Sequence, residues 1–353
     1  MTAPSAGTPA RLRDGGRTGT AATASVPGSS ANLGPAFDAV GLALDLRDEL
    51  RVEVLEPGAG VRVDVEGQGA GRVGAGEAHL VVRALRQALA RVGAPQPDLG
   101  LTCRNGVPFG RGAGSSAAAV VAGVVLARGL LEEPGRLDDG TALDVAAGME
   151  GHPDNAAASL LGGATLGWAE PGSGVEGAGS EWAGLEGAGA GWPPGDGGAG
   201  ALRWRAVRVE PHPDLVAVLC VPAVELLTAH ARALLPDVVP HVDAAFNAGR
   251  AALLVEALVR RPDLLLPATA DRLHQPQRAA AAPATAALVA DLRARGLAAA
   301  VSGAGPSVLV LGPGAPAGAA AAPLLAAVRG VAGPTWDVLV PGVARAGARW
   351  ATG

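Results

Sequence analysis

Lysine is missing from this sequence; all 28 basic residues are arginine. That removes every mechanism built on a lysine: the Walker A phosphate loop, the protein-kinase ion pair and the Schiff base. Isoleucine and tyrosine are missing too, while glycine reaches 53. Such a skew matches a GC-rich coding bias, so richness in alanine and glycine carries no message by itself. No apolar run reaches the roughly 20 uninterrupted residues of a membrane span. The Ala-, Gly-, Thr- and Arg-rich start lacks the apolar core of a signal peptide. Net charge is −5 and the arginines are scattered, so no basic stripe points to nucleic acid. The two cysteines, Cys103 and Cys220, each sit in a strand-like apolar setting and read as buried thiols in a reducing compartment. The expectation is a soluble, cytoplasmic protein with neither membrane nor nucleic-acid partner.

What is present suffices for two domains: 353 residues, 49% hydrophobic and 17% charged. Residues 1–20 are expected to be a disordered tail, 21–200 an N-terminal domain and 201–353 a C-terminal one. Alternation at Leu50, Val52 and Val54, and again at Val61, Val63 and Val65, flanks Glu-Pro-Gly-Ala-Gly and predicts a β-hairpin. Val81, Leu85, Ala88 and Val92 share one stripe, which predicts a helix over 79–93 stopped at Gly93. A short strand follows at 99–103. Residues 170–200 lack periodicity and read as a low-complexity insertion. Later strands are expected at 204–209 and 215–221, and helices at 243–259 and 285–296. Two apolar runs surround a glycine turn over 297–312. A helix near 318–329 and a strand at 336–340 complete the chain. Strands and helices mix in both halves, which argues α+β.

The most informative stretch is Pro108, Phe109, Gly110, Arg111, Gly112, Ala113, Gly114, Ser115, Ser116, Ala117 and Ala118, set directly against an Ala/Val helix former. A helix N-terminus carries unpaired N–H groups and about half a positive charge. Gly110, Gly112 and Gly114 let the backbone approach a ligand with no Cβ in the way. Together these make a phosphate cradle that needs no lysine. The hydroxyls of Ser115 and Ser116 can cap the helix or ligate Mg²⁺ on a nucleotide. Arg111 adds charge to a phosphate or faces water.

"PFGRGAGSSAAA" resembles the nucleotide loop of the GHMP small-molecule kinases. Two further segments match in order: "VPGSSANLGPAFDAVGLAL" at 26–44 and "AVSGAGPSVLVL" at 300–311. The resemblance implies a two-domain α+β fold. An N-terminal ribosomal-S5-like domain would hold ATP, a C-terminal ferredoxin-like domain would follow, and the active site would lie in the cleft between them. It implies ATP and Mg²⁺ as cofactors and a homodimer as the assembly.

Within that superfamily the homoserine kinases are the branch this sequence resembles. "HPDN" at 152–155 puts Asn155 where mevalonate- and galactose-type members carry an aspartate base. An asparagine cannot accept a proton, so direct transfer is implied, with Asp154 as the other candidate base. Thr228 and Arg232 fit the branch's T-x-x-x-R pattern, and Arg278 stands where it has a substrate arginine. The resemblance thus makes Asn155, Thr228 and Arg232 catalytic. It makes Arg232 and Arg278 a clamp for a carboxylate, which suits bidentate guanidinium chemistry. Asn32 and Asp38 would hold an ammonium, with His152 bonded to the substrate and Gly303 and Gly305 bringing a backbone turn beside it. Ser116 and Glu150 would hold Mg²⁺. Thr228 reads equally well as a helix cap. Ala36 replaces a usual glycine, Ala113 a usual leucine and Gln277 a usual aromatic. The implied reaction is phosphorylation of L-homoserine on the route to threonine. Left open are a kinase for another small alcohol, mevalonate or a sugar, and a binding protein of the same fold without catalysis.

Overall fold

The computed structural model describes residues 8–171, 202–226, 228–314 and 321–353. The first half supplies strands β1 (Ala21–Ala31), β2 (Val40–Val54), β3 (Val61–Gly67), β4 (Leu99–Asn105), β5 (Ala164–Pro171) and β6 (Leu202–Val209). Helices α1 (Leu80–Arg91), α2 (Ser115–Leu130), α3 (Asp139–Glu150) and α4 (Asp154–Leu161) cover them. The expected helix over 79–93 is α1, with Val81, Leu85 and Ala88 buried and Gly93 in the left-handed region. α2 is apolar on nearly every face, and Gly123 lets α1 cross it: a Cβ there would stand 2.3 Å from the Val81 carbonyl oxygen.

The expected hairpin does not form. β4 lies between its two arms, antiparallel to β2 and parallel to β3. Leu99, Leu101 and Cys103 are buried and take the central position, while β3, half exposed along its length, takes the edge. Alternation reported which face each strand buries; it carried no information about the neighbour.

The second half gives β7 (Leu215–Pro222), β8 (Ala298–Val301), β9 (Val308–Pro313) and β10 (Trp336–Leu339). Its helices are α5 (Thr228–Arg232), α6 (His241–Val259), α7 (Leu265–Ala268), α8 (Gln275–Arg278), α9 (Pro283–Ala294) and α10 (Ala322–Ala332). The sheet order β10-β7-β9-β8 is antiparallel throughout. α9 and α10 pack on one face of this sheet and complete the βαββαβ plan of a ferredoxin-like layer, while α6 packs on the other face. Every residue of β7 is buried, as its unbroken apolar run requires.

Three expectations change. The tail expected to be disordered to residue 20 is docked from residue 10: Ala10 and Leu12 are buried, the Ala10 amide donates to the Val92 carbonyl at 3.0 Å, and Arg13 Nη1 donates to the Gly129 carbonyl at 3.2 Å. The sheets do not divide at residue 201. β6 pairs with β5, and a last strand, β11 (Arg349–Thr352), pairs with β1 in the first sheet. Of the 170–200 insertion, Glu170 and Pro171 belong to β5, and Pro171 faces Leu202 across the β5–β6 pair. The rest lies outside the described residues, as do residues 315–320 ahead of α10. Cys103 and Cys220 are unpaired and buried, and burial, which leads in both, pushes each thiol up to about 12.

Candidate active site

A cavity of about 290 Å³ opens where the start of α2, the α3–α4 junction, the loop after β1, α5, the end of α8 and the 303–305 turn converge. Its floor is the glycine loop. Asp48 Oδ1 accepts from the amides of Gly106 and Val107, at 2.9 and 3.0 Å, and fixes where the chain leaves β4. Gly110, Gly112 and Gly114 then alternate at φ of 66°, 76° and 71°. This left-handed region is open to glycine without strain. Ser302 Oγ donates to the Gly112 carbonyl at 2.6 Å, so the loop is tied to the turn from the second sheet. α2 starts at Ser115, directing its free N–H groups into the cavity.

Not every loop residue reaches the cavity. Pro108, Ala113 and Ala118 are buried behind it, and Phe109 lies under the Arg72 guanidinium at 5.4 Å. Arg111 borders the cavity but is not free in water: Nη2 donates to the Ala223 carbonyl at 3.3 Å and lies 3.7 Å from Glu225. Ser116 Oγ donates to Glu150 Oε1 at 2.6 Å, bringing together the two residues expected to share a cation. Burial pushes the Glu150 carboxyl up, against the Ser116 bond.

Charges fill the opposite wall. Arg232 makes a two-pronged pair with Asp38 at 2.9 and 2.6 Å. His152 Nδ1 pairs with Asp154 Oδ1 at 2.6 Å. Burial opposes the imidazolium, but the charge and hydrogen bond of Asp154 outweigh it, and His152 is raised to about 9. Asp154, though buried, is held below its ordinary value chiefly by that charge. Donor atoms of Asp38, His152 and Asp154 lie within 4.8 Å of one another, a spacing that could suit a metal. Arg232 and the charged His152 already neutralise both carboxylates, so the trio reads as an ion network.

The network makes stability depend on pH. His152 titrates at about 9 in the fold against 6.5 as a free side chain. Its contribution is full below pH 6.5 and is lost as pH rises through about 9. Urea unfolding of wild type and His152→Gln is expected to give a stability gap that is flat below that window and closes across it. A gap that does not narrow there means the imidazole is neutral.

Asn32 lines the cavity and ties two turns together. At φ 70° its Nδ2 donates to the Gly303 carbonyl at 3.0 Å, and its Oδ1 accepts from the Asp38 amide at 2.9 Å. The positive φ values of this loop fall on Asn32, Leu33, Gly34 and Asp38, so the backbone at Ala36 does not call for glycine. Thr228 is the first residue of α5 rather than its cap, and it borders the cavity. Gly303 and Gly305 line it as well.

Arg278 ends α8 and is buried. Its Nε donates to the Ala231 carbonyl at 3.2 Å and Nη1 meets His274 Nδ1 at 3.3 Å. His274 Nε2 lies 2.7 Å from the Gly34 carbonyl and must donate to it, which leaves Nδ1 as the acceptor for Arg278. Nη2 of Arg278 makes no hydrogen bond to a described residue. Burial lowers this guanidinium to about 10. Phe37 lies beneath both arginines, 5.4 Å from Arg232 and 5.2 Å from Arg278. Asp271 builds the turn ahead of α8 by accepting from the amides of Leu273, His274 and Gln275.

Phe37, His274 and Asp271 were not singled out from the sequence. Phe37 adjoins Asp38, and Asp271 and His274 lie in the stretch 271–278 that carries Arg278, but the turn through which those two act is not revealed by sequence spacing.

Residues 79–163 match the pattern of the GHMP kinases N terminal domain, and residues 241–329 that of the GHMP kinases C terminal domain. The homoserine kinase of Streptomyces coelicolor is 49% identical over 287 residues, 81% of this chain and 82% of that protein. The homoserine kinase of Mycolicibacterium smegmatis is 49% identical over 295 residues, 83% of this chain and 85% of that one. Among solved structures, the fold superposes on homoserine kinase from Cytophaga hutchinsonii with a TM-score of 0.73 at 24% identity, over 94% of this chain and 97% of that one. It superposes on mevalonate diphosphate decarboxylase from Staphylococcus aureus with a TM-score of 0.63 at 14% identity, over 94% and 98%. The chain belongs to the GHMP kinases and, within them, to the homoserine kinase family.

Proposed function

We propose that this cleft transfers the γ-phosphoryl group of ATP to the hydroxyl of L-homoserine, giving O-phospho-L-homoserine, ADP and a proton, on the route to threonine. One observation carries the reading most: a phosphate cradle without lysine faces, across a single cavity, a wall where Asp38, Arg232 and the unsatisfied Nη2 of Arg278 meet. Homoserine is a zwitterion with a terminal hydroxyl. Its carboxylate suits the open edge of Arg278, and its ammonium suits Asp38 in place of one prong of Arg232.

The hydroxyl oxygen attacks the γ-phosphorus as the bond to ADP breaks. Catalysis is then chiefly positioning and charge stabilisation. The cradle amides and the start of α2 hold the phosphates, and Asn155 borders the attacking hydroxyl. Asp154 is a poor general base. His152, Asn155 N and Asn155 Nδ2 surround its Oδ1, and its affinity for a proton is held low. The hydroxyl proton therefore leaves by way of the phosphate or water.

The oxygen-only pair of Ser116 and Glu150 at the start of α2 fits Mg²⁺, a hard cation that prefers such ligands. Bound there with the nucleotide, it would neutralise charge on the β- and γ-phosphates. The buried, unpaired thiols suit a reducing compartment, the cytoplasm.

ADP release from MgATP is the test, with L-homoserine, D-homoserine, L-threonine, mevalonate and galactose offered in turn. Saturable turnover on L-homoserine alone is expected. Turnover on mevalonate or galactose without L-homoserine overturns the substrate, and ATP binding without turnover on any overturns the reaction.

A further inference from the structure

Asn155 carries an amide whose two ends do opposite things: Oδ1 accepts and Nδ2 donates. Which end faces the reacting groups decides what the residue can do. Ser29 on β1, fully buried, sits behind it. Ser159 Oγ donates to Ser29 Oγ at 3.2 Å, so the single Ser29 proton is free to go elsewhere. Both acceptors within its reach belong to Asn155, the side-chain Oδ1 at 3.0 Å being nearer than the backbone carbonyl at 3.3 Å. On the other side Asn155 Nδ2 lies 3.4 Å from Asp154 Oδ1. A flipped amide would face Ser29 with N–H groups and set its own oxygen against the Asp154 carboxylate. Both neighbours therefore select one orientation.

Ser29 is keyed to the nucleotide loop as well. Its amide donates to the Ala113 carbonyl at 3.0 Å. Its Oγ occupies the space beside Gly114, where a Cβ would come to 2.2 Å. One residue thus touches the phosphate cradle with its backbone and Asn155 with its hydroxyl.

We infer that Ser29 is a positioning residue that fixes the Asn155 amide with its N–H groups toward the cavity and in register with the nucleotide loop. The inference rests on the phosphoryl-transfer reading above. In that setting Asn155 donates to an oxygen in flight between alcohol and phosphate. It is never the proton acceptor.

The test is a double-mutant cycle on the full chain, read as kcat and KM separately. Ser29→Ala is expected to lower kcat roughly tenfold, the scale of one hydrogen bond, with both KM values within about twofold. In an Asn155→Ala background the same change is expected to cost nothing further, because Ser29 acts through that amide. Ser29→Cys, similar in size but a weak donor, guards against loss of folding and is expected to fall between Ser29→Ala and wild type. Independent, multiplying losses overturn the inference, as does a rise confined to the KM for ATP, which would make Ser29 a loop support. An unchanged kcat in Ser29→Ala overturns it too. The cycle can be read on whichever alcohol the wild type turns over, so a wrong substrate and a wrong role for Ser29 give different results.

Discussion

Replacing Arg278 by alanine is expected to lower kcat/KM for L-homoserine by about 10²–10³-fold, from the roughly 2–5 kcal/mol lost when one member of a buried charge pair is removed. The reason is geometric. His274 and the Ala231 carbonyl hold Nη1 and Nε, which leaves Nη2 pointed by its own fixed fork at whatever enters. Among the described residues no carboxylate makes an ion pair with this guanidinium, so a carboxylate on the ligand is its natural complement. Arg278→Lys is expected to recover little, because an ammonium is a point charge and cannot satisfy His274, Ala231 and a ligand along one plane. Steady-state kinetics on both substrates decide it: the homoserine KM moves and the ATP KM stays. An unchanged homoserine KM in Arg278→Ala would remove this arginine from the substrate site.

The second large effect is expected at Gly112. An added Cβ would stand 2.4 Å from the Ser302 carbonyl oxygen and 2.8 Å from that of Gly305, both backbone atoms that cannot swing aside. The φ of 76° adds about 1–2 kcal/mol of strain for an L-residue. Gly112→Ala should therefore push the cradle off the 302–305 turn and raise the KM for ATP by roughly 100-fold, where each factor of ten corresponds to about 1.4 kcal/mol. Gly110→Ala is the control. It carries similar strain at φ 66°, but its Cβ would meet only the Glu225 side chain at 3.3 Å, which can move. Its cost is expected to be nearer tenfold. Equal losses at the two positions would mean that conformational strain, not the crowded backbone, sets the effect.

The cradle was legible because its requirements are local. Three glycines at alternate positions before a helix former state a backbone conformation and an anion site within one short stretch. Asp38, His152 and Arg232 were legible only through family resemblance, since nothing in their spacing says that they meet. The resemblance gave Arg232 to the ligand but did not show its two-pronged pair with Asp38 at the edge of the cavity. The hairpin misreading has a different cause. Residues 50–65 do alternate, but the strand that separates the two arms comes more than thirty residues later, and pairing at that range leaves no mark on either arm. Ser29 was passed over because a buried hydroxyl in an apolar strand looks like filler until its partners are known.

The pairing of β11 with β1 bears on how this chain is made. A ribosome delivers residues 21–25 early and their partners at 349–352 only after more than three hundred further residues. Until then one edge of β1 stands open, a row of unpaired N–H and C=O groups beside an apolar helix layer. Trp350, which packs on that layer, arrives at the same late moment. The nascent chain therefore carries a sticky strand edge for most of its synthesis, and the first sheet cannot close as a co-translational unit ahead of the second.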